Sequence, residues 1–155
     1  MKDQLIAKIL DVDPSLLRGY NAGLLQGKAY SRLHSLLSRA LFPFDVSIPE
    51  WKLLGQLYDN GSIKLSVLAD LLSYDPPMVT KLVKQLEKKK MLKRQQDAND
   101  ERAKIITITT SGKKLIESAE PDVRKTMREM LRGVSREEIK AYLKVLTIIV
   151  KNTQS

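Results

Sequence analysis

The chain has 155 residues, one domain's worth of sequence, which excludes two independent catalytic domains. With 43% hydrophobic and 29% charged residues it can build a packed core, so neither a disordered tail nor a fibre fits. Its 27 Lys and Arg against 18 Asp and Glu leave a net charge of +9, a field that concentrates phosphates and points to a polyanionic partner.

From Asp13 to about Leu41 the spacing predicts one long helix, with Asp13 as N-cap, Pro14 in the first turn, and Leu33, Leu36, Leu37, Ala40 and Leu41 at helical intervals. Pro43 stops it. Ser47 and Glu50 form a capping box that opens a helix to about Tyr58, with Trp51, Leu54 and Tyr58 on one side. After a turn at Asn60 and Gly61, Leu65, Leu68, Ala69 and Leu72 mark a helix of about two turns, whose N-cap, Lys64, is a poor one. Asp75 caps the next helix, where Pro76 needs no amide partner and Val79, Leu82, Val83 and Leu86 form the inward stripe.

The period then changes from helical to alternating. Met91 to Gln95 and Ala103 to Thr109 read as two short strands around the polar loop Gln96 to Arg102. Thr109 caps a further helix through Ala119 to Leu131, in which Pro121 marks either a kink or the meeting of two helices. Ser135 and Glu138 form a second capping box, opening a last helix with Ile139, Tyr142, Leu143, Leu146, Ile149 and Val150 on one face.

This order of helix, short helix, turn, helix and hairpin is that of a winged helix-turn-helix, in which the helix after the turn enters the DNA major groove. The charges fall in the same place. Between Lys81 and Arg94 lie seven basic residues against the single acid Glu87, so 7 minus 1 gives +6 of the chain's +9. The inward stripe leaves Met78, Thr80, Lys81, Lys84, Gln85 and Lys88 on the solvent-facing sector, where side chains reach bases and phosphates. Asp75 and Pro77 at the helix start, and Arg94 and Lys104 on the strands, complete the candidate interface.

The run Asp97, Ala98, Asn99, Asp100, Glu101, Arg102, followed by Ile106, Thr107, Ile108, Thr109 and Gly112, resembles the wing signature of the multiple-antibiotic-resistance regulators, the MarR family of transcription factors. Val79 to Arg94 is similar to that family's recognition helix and its exit. Two positions depart from the pattern: Lys90 stands where the family has Gly in a left-handed helix end, and Glu101 where it has a basic residue. The resemblance implies that Arg102, oriented by Asp100, enters the minor groove, whose negative potential favours arginine.

The resemblance also implies a job for the chain ends, which a single winged helix does not need. Leu16, Leu17, Tyr20 and Leu24 at one end and the last helix's apolar face at the other would join in a homodimer reading a palindromic operator in double-stranded DNA. The expected architecture is one domain, 1–155, mainly α with a small β-hairpin wing: a DNA-binding lobe over 45–110, and dimerisation helices over 1–44 and 111–155. Family members bind a small aromatic or anionic effector between these parts, and Tyr30, His34, Trp51 and Tyr58 are the residues here that would line such a cleft. The expected action is repression.

Other classes fit less well. His34 is the only histidine, cysteine is absent, and there is neither a serine nucleophile elbow nor a Gly-rich phosphate loop, so no catalytic residue, cofactor or metal-ligand set is expected. A winged-helix adaptor that binds protein without specific DNA binding is the alternative, and it would lack the salt dependence of phosphate contacts. No window approaches the ~18 apolar residues of a membrane span, and Met1 to Asp11 lacks the pattern of an export signal, so the expected compartment is the cytoplasm, with no membrane partner.

Overall fold

A computed structural model describes residues 19–98 and 100–153, apart from the side chains of 22 and 100–102. The expected cap at Asp13, Pro14 and the apolar residues Leu16 and Leu17 lie outside the described residues. The elements in order are α1 (Gly19–Leu41), a 3-10 turn (Phe42–Phe44), α2 (Ile48–Asn60), β1 (Ser62–Lys64), α3 (Leu65–Leu72), α4 (Pro76–Lys88), β2 (Leu92–Asp97), β3 (Asp100–Ile108), α5 (Thr110–Met130) and α6 (Arg136–Asn152). Among the described residues no helix is long and apolar enough to cross a membrane.

The caps legible in the sequence set the helix starts. Ser47 Oγ accepts from the Glu50 amide while Glu50 Oε2 accepts from the Ser47 amide at 2.8 Å, and Ser135 and Glu138 repeat the exchange at α6. Asp75 Oδ1 accepts from the Met78 amide at 2.7 Å, with prolines filling the first turn of α4. Lys64 gives α3 no side-chain cap; its ammonium ion lies 2.9 Å from Asp97 on β2 instead.

Two expectations about the sheet need correction. The wing is not a two-stranded hairpin alone: β1 joins it, giving a three-stranded antiparallel sheet in the order β1-β3-β2, with Ile63 opposite Ile106. The strands also run further into the expected loop, to Asp97 and from Asp100, with a register irregularity at Gln96 and Asp97. Pro121 neither breaks nor divides α5, because Ile116, Ala119 and Val123 pack on either side of it and outweigh one missing amide.

Two cores result. The first joins α2, α3, α4 and the sheet through Leu53, Leu54, Leu57, Leu68, Val79, Val83, Leu86, Leu92 and Ile106. The second joins the end of α1, the corner after it and α5 through Leu37, Leu41, Val46, Ile48, Ala119 and Val123. Trp51, Met91 and Leu115 pack against both. No residue of α6 is buried.

Candidate nucleic-acid interface

The inward stripe of α4 is as the spacing predicts: Val79, Leu82, Val83 and Leu86 are all buried. Thr80, Lys81, Lys84, Gln85 and Lys88, with Pro76 and Pro77, line one shallow groove on the opposite side. Met78 is the exception. It is half-buried against the first core, because it stands one turn before Leu82 and so widens the inward face. Asp75 is exposed, and its carboxylate is engaged in the cap.

The seven basic residues between Lys81 and Arg94 are not equivalent. Lys81, Lys84, Lys88, Lys90 and Lys93 are exposed. Arg94 instead turns back to α4, with Nε 2.8 Å and Nη2 2.6 Å from Glu87 Oε2. That hydrogen bond, opposed by partial desolvation and aided by the charges of Arg94 and Lys104, holds the Glu87 carboxyl below the usual carboxylate range. Lys89 faces away from the groove, towards Glu50 and Asp45. Sequence reasoning missed both pairings, since nothing in local spacing signals them.

The end of α4 explains the departure at Lys90. Its backbone is left-handed, with φ of 58°, the Lys90 amide bonds to Glu87 O at 2.9 Å, and the Met91 amide to Leu86 O at 2.9 Å. This is a Schellman ending built on lysine where glycine would carry no steric penalty. Gly112, by contrast, is required by contact: a Cβ there would collide with the Met91 carbonyl oxygen.

On the wing, Asp97 is buried and paired with Lys64, and it stands opposite Asp100 in the register. Lys104 is exposed on β3, opposite Gln96. The side chains of Asp100, Glu101 and Arg102 lie outside the described residues, and with them the expected pairing of Asp100 with Arg102.

The four expected effector-site aromatics divide into two pairs. Trp51 and Tyr58 line a cavity of about 1050 Å³ between α2, the end of α3 and α5, whose far wall carries Glu117, Glu120, Arg124 and Arg128. Tyr58 donates to Glu117 Oε1 at 3.1 Å, and this bond to a carboxylate raises the phenol's pKa above its ordinary value. Tyr30 and His34 sit away from this cavity on α1, in a tilted ring contact at 5.9 Å, and His34 lines a separate shallow hollow with Arg39 and Phe42. The α5 wall was missed because its residues read as an ordinary charged helix face.

The MarR family model matches residues 46–104, the segment from the corner before α2 to β3. The chain is 34% identical over 107 residues to the uncharacterized HTH-type transcriptional regulator YdgJ of Bacillus subtilis, a match that takes in 69% of this chain and 65% of that relative's length. A mutant MarR from E. coli complexed with operator DNA superposes with a TM-score of 0.77 at 23% identity, covering 82% of this chain and 91% of that one. AbsC, a MarR family regulator of Streptomyces coelicolor, gives 0.80 at 18% identity over 88% and 95%. BpsR of Bordetella bronchiseptica, whose DNA binding is regulated by 6-hydroxynicotinic acid, gives 0.76 at 22% over 83% and 98%. At these identities the superpositions show the winged-helix fold alone. The segment 46–104 that matches the MarR family model takes in α2, β1, α3, α4, β2 and the start of β3, with the wing signature on and just beyond it, so this lobe is similar to the MarR family.

Proposed function

We propose that the chain is a dimeric transcriptional regulator that binds a palindromic operator and represses from it, acting on DNA in the cytoplasm. The observation that carries this reading is the outer face of α4, where Thr80, Lys81, Lys84, Gln85 and Lys88 share one groove with no apolar side chain but the two prolines. Lys81, Lys84 and Lys88 act as point charges on phosphate, while Thr80 and Gln85 read base edges. Asp75, Pro77 and Met78 shape the helix end that approaches the groove. Arg94 acts through Glu87, Lys104 adds charge to the wing, and Arg102, oriented by Asp100, enters the minor groove.

Residues 45–110 form the DNA-binding lobe on this reading, and 1–44 and 111–155 join two copies. Support for the dimer is the exposed apolar face of α6, with Tyr142, Leu143, Ile149 and Val150 about half exposed, and Tyr20 and Leu24 of α1 likewise. Two copies place their α4 helices about one DNA turn apart and read an inverted repeat. The cavity beside Trp51 and Tyr58 is the place for a small aromatic or anionic effector, with Arg128 and Lys52 on its wall to meet an anion. Tyr30 and His34 belong to that site only if the second copy brings them there.

Selection from a random duplex pool tests the central claim. The purified protein should enrich an inverted repeat, and log affinity for it should fall linearly with log salt. Enrichment of no sequence, with a flat salt response, would overturn the reading and leave a protein-binding adaptor.

A further inference from the structure

Three parts of the molecule meet at the exit of α4. Lys89, the C-cap, extends its ammonium ion to 3.2 Å from Glu50 Oε1 and 3.6 Å from Asp45 Oδ2, and donates to the Asp45 carbonyl. Glu50 is buried, and its other oxygen accepts from the Ser47 amide and hydroxyl at 2.8 and 2.9 Å. One carboxylate therefore holds the start of α2 with one oxygen and the end of α4 with the other. A carboxylate so buried is costly unless both oxygens are satisfied, so Lys89 is its structural counterion. Asp45, left-handed with φ of 53°, is the residue that turns the chain between α1 and α2.

The same exit is fastened to α5 from the other side. Thr109 donates its hydroxyl to the Lys90 carbonyl at 2.8 Å and its amide to the Met91 carbonyl at 3.0 Å. Met91 then packs against both cores. The two helices that lead out of the lobe, α1 and α5, thus grip one short segment at the end of the recognition helix.

Resting on the DNA-binding reading above, we propose that Lys89 is a positioning residue: held by Glu50 and Asp45, it sets the pose of α4 against the corner where α1 enters the lobe, and it contacts no phosphate. Its charge is already met by carboxylates, whereas Lys81, Lys84 and Lys88 present theirs to the groove. The coupling it supplies is geometric, so its loss alters how well the helix fits one sequence and leaves the general attraction for DNA in place.

Variants of the full chain, titrated over a salt series with the selected duplex and a shuffled duplex of equal length, test this. Lys89→Gln should bind the selected duplex about tenfold more weakly, with shuffled-duplex binding and salt slope unchanged, and Lys89→Arg should restore it. Lys88→Gln should weaken both duplexes alike and lower the slope by about one. Glu50→Gln keeps the capping box, because glutamine serves at that position. It should mimic Lys89→Gln, and the double variant should lose little more. If Glu50→Gln instead strengthens both duplexes and steepens the slope, the freed Lys89 is a phosphate contact and the proposal fails. Hydrogen exchange without DNA provides an independent arm: Lys89→Gln should speed exchange at the Lys90 and Met91 amides and also at Asp45 and Trp51. Acceleration confined to the α4 exit would overturn the coupling. A wild-type protein that selects no sequence sinks the DNA-binding reading, while exchange still decides the coupling through Lys89.

Discussion

The lobe and the terminal helices satisfy their apolar residues in different ways. In the lobe, Leu53, Leu54, Leu57, Leu68 and Leu86 have no exposed surface, so its fold is complete within one chain. In α6, Tyr142, Leu143, Val145, Ile148, Ile149 and Val150 are all exposed, though the helix is as well capped as any in the lobe. Capping and periodicity therefore specify that a helix forms, and they say nothing of whether its own chain covers it. The lobe carries the proposed recognition surface on a finished scaffold; the terminal helices present apolar surface that a second copy would finish.

Leu54→Ala and Leu143→Ala separate the two regions most sharply. Leu54→Ala removes a fully buried side chain and should lower unfolding stability by about 2 to 5 kcal/mol at every protein concentration. Leu143→Ala should leave lobe stability unchanged and shift the denaturation midpoint only in a concentration-dependent way, since it acts on association. A loss at Leu143 that ignores concentration would mean that α6 is finished by its own chain, and the contrast would break.

Gly112→Ala probes the seam between the regions. Its new Cβ meets the Met91 carbonyl, a backbone atom that cannot swing away. The expected loss is about 1 to 3 kcal/mol, the usual scale of overpacking, read by chemical denaturation. Lys90→Gly works in the opposite direction at the same exit. It relieves the left-handed backbone at the end of α4 and should raise stability by about 1 kcal/mol, with one surface charge fewer. Equal stability in wild type and Lys90→Gly would mean that the Schellman ending carries no strain.

What the sequence made legible is local chemistry. Ser47 with Glu50, Asp75 with its prolines, Thr109, and Ser135 with Glu138 each announce a helix start through bonds spanning about one turn, and each cap is made. The wing signature likewise marks the sheet. The rest depends on residues far apart in the chain. Ser62 to Lys64 is a strand only because Thr107, Ile106 and Ile105 of β3 lie beside it, and three residues carry no period of their own. Lys89 and Arg94 look like their five basic neighbours in the sequence, and only the fold brings Glu50 and Glu87 to hold them. The cavity wall on α5 belongs to the same class: Glu117 acquires meaning only when Tyr58 reaches it.

The smallest effects concern two carboxylates, one in each region, Glu87 half-buried and Glu138 exposed. Glu87 lies below the usual range chiefly through its hydrogen bond from Arg94, and Glu138 chiefly through the backbone and hydroxyl of Ser135. A depressed folded pKa means that the folded state holds the proton less readily than the unfolded chain. Each group therefore stabilises the fold at pH above its ordinary value of 4.5, and that contribution is lost as pH falls through the lower folded value. Glu87→Gln should flatten the acid limb of the stability curve for the lobe, and it should do so less at high salt, because the Arg94 pair is solvent-screened. Glu138→Gln keeps an acceptor for the cap but not its charge at the helix N-terminus, so it should flatten the acid limb for α6. Circular dichroism between neutral pH and pH 3, at two protein concentrations, distinguishes them: the Glu87 effect should be the same at both, whereas the Glu138 effect should grow on dilution, as the proposed second copy would no longer cover α6.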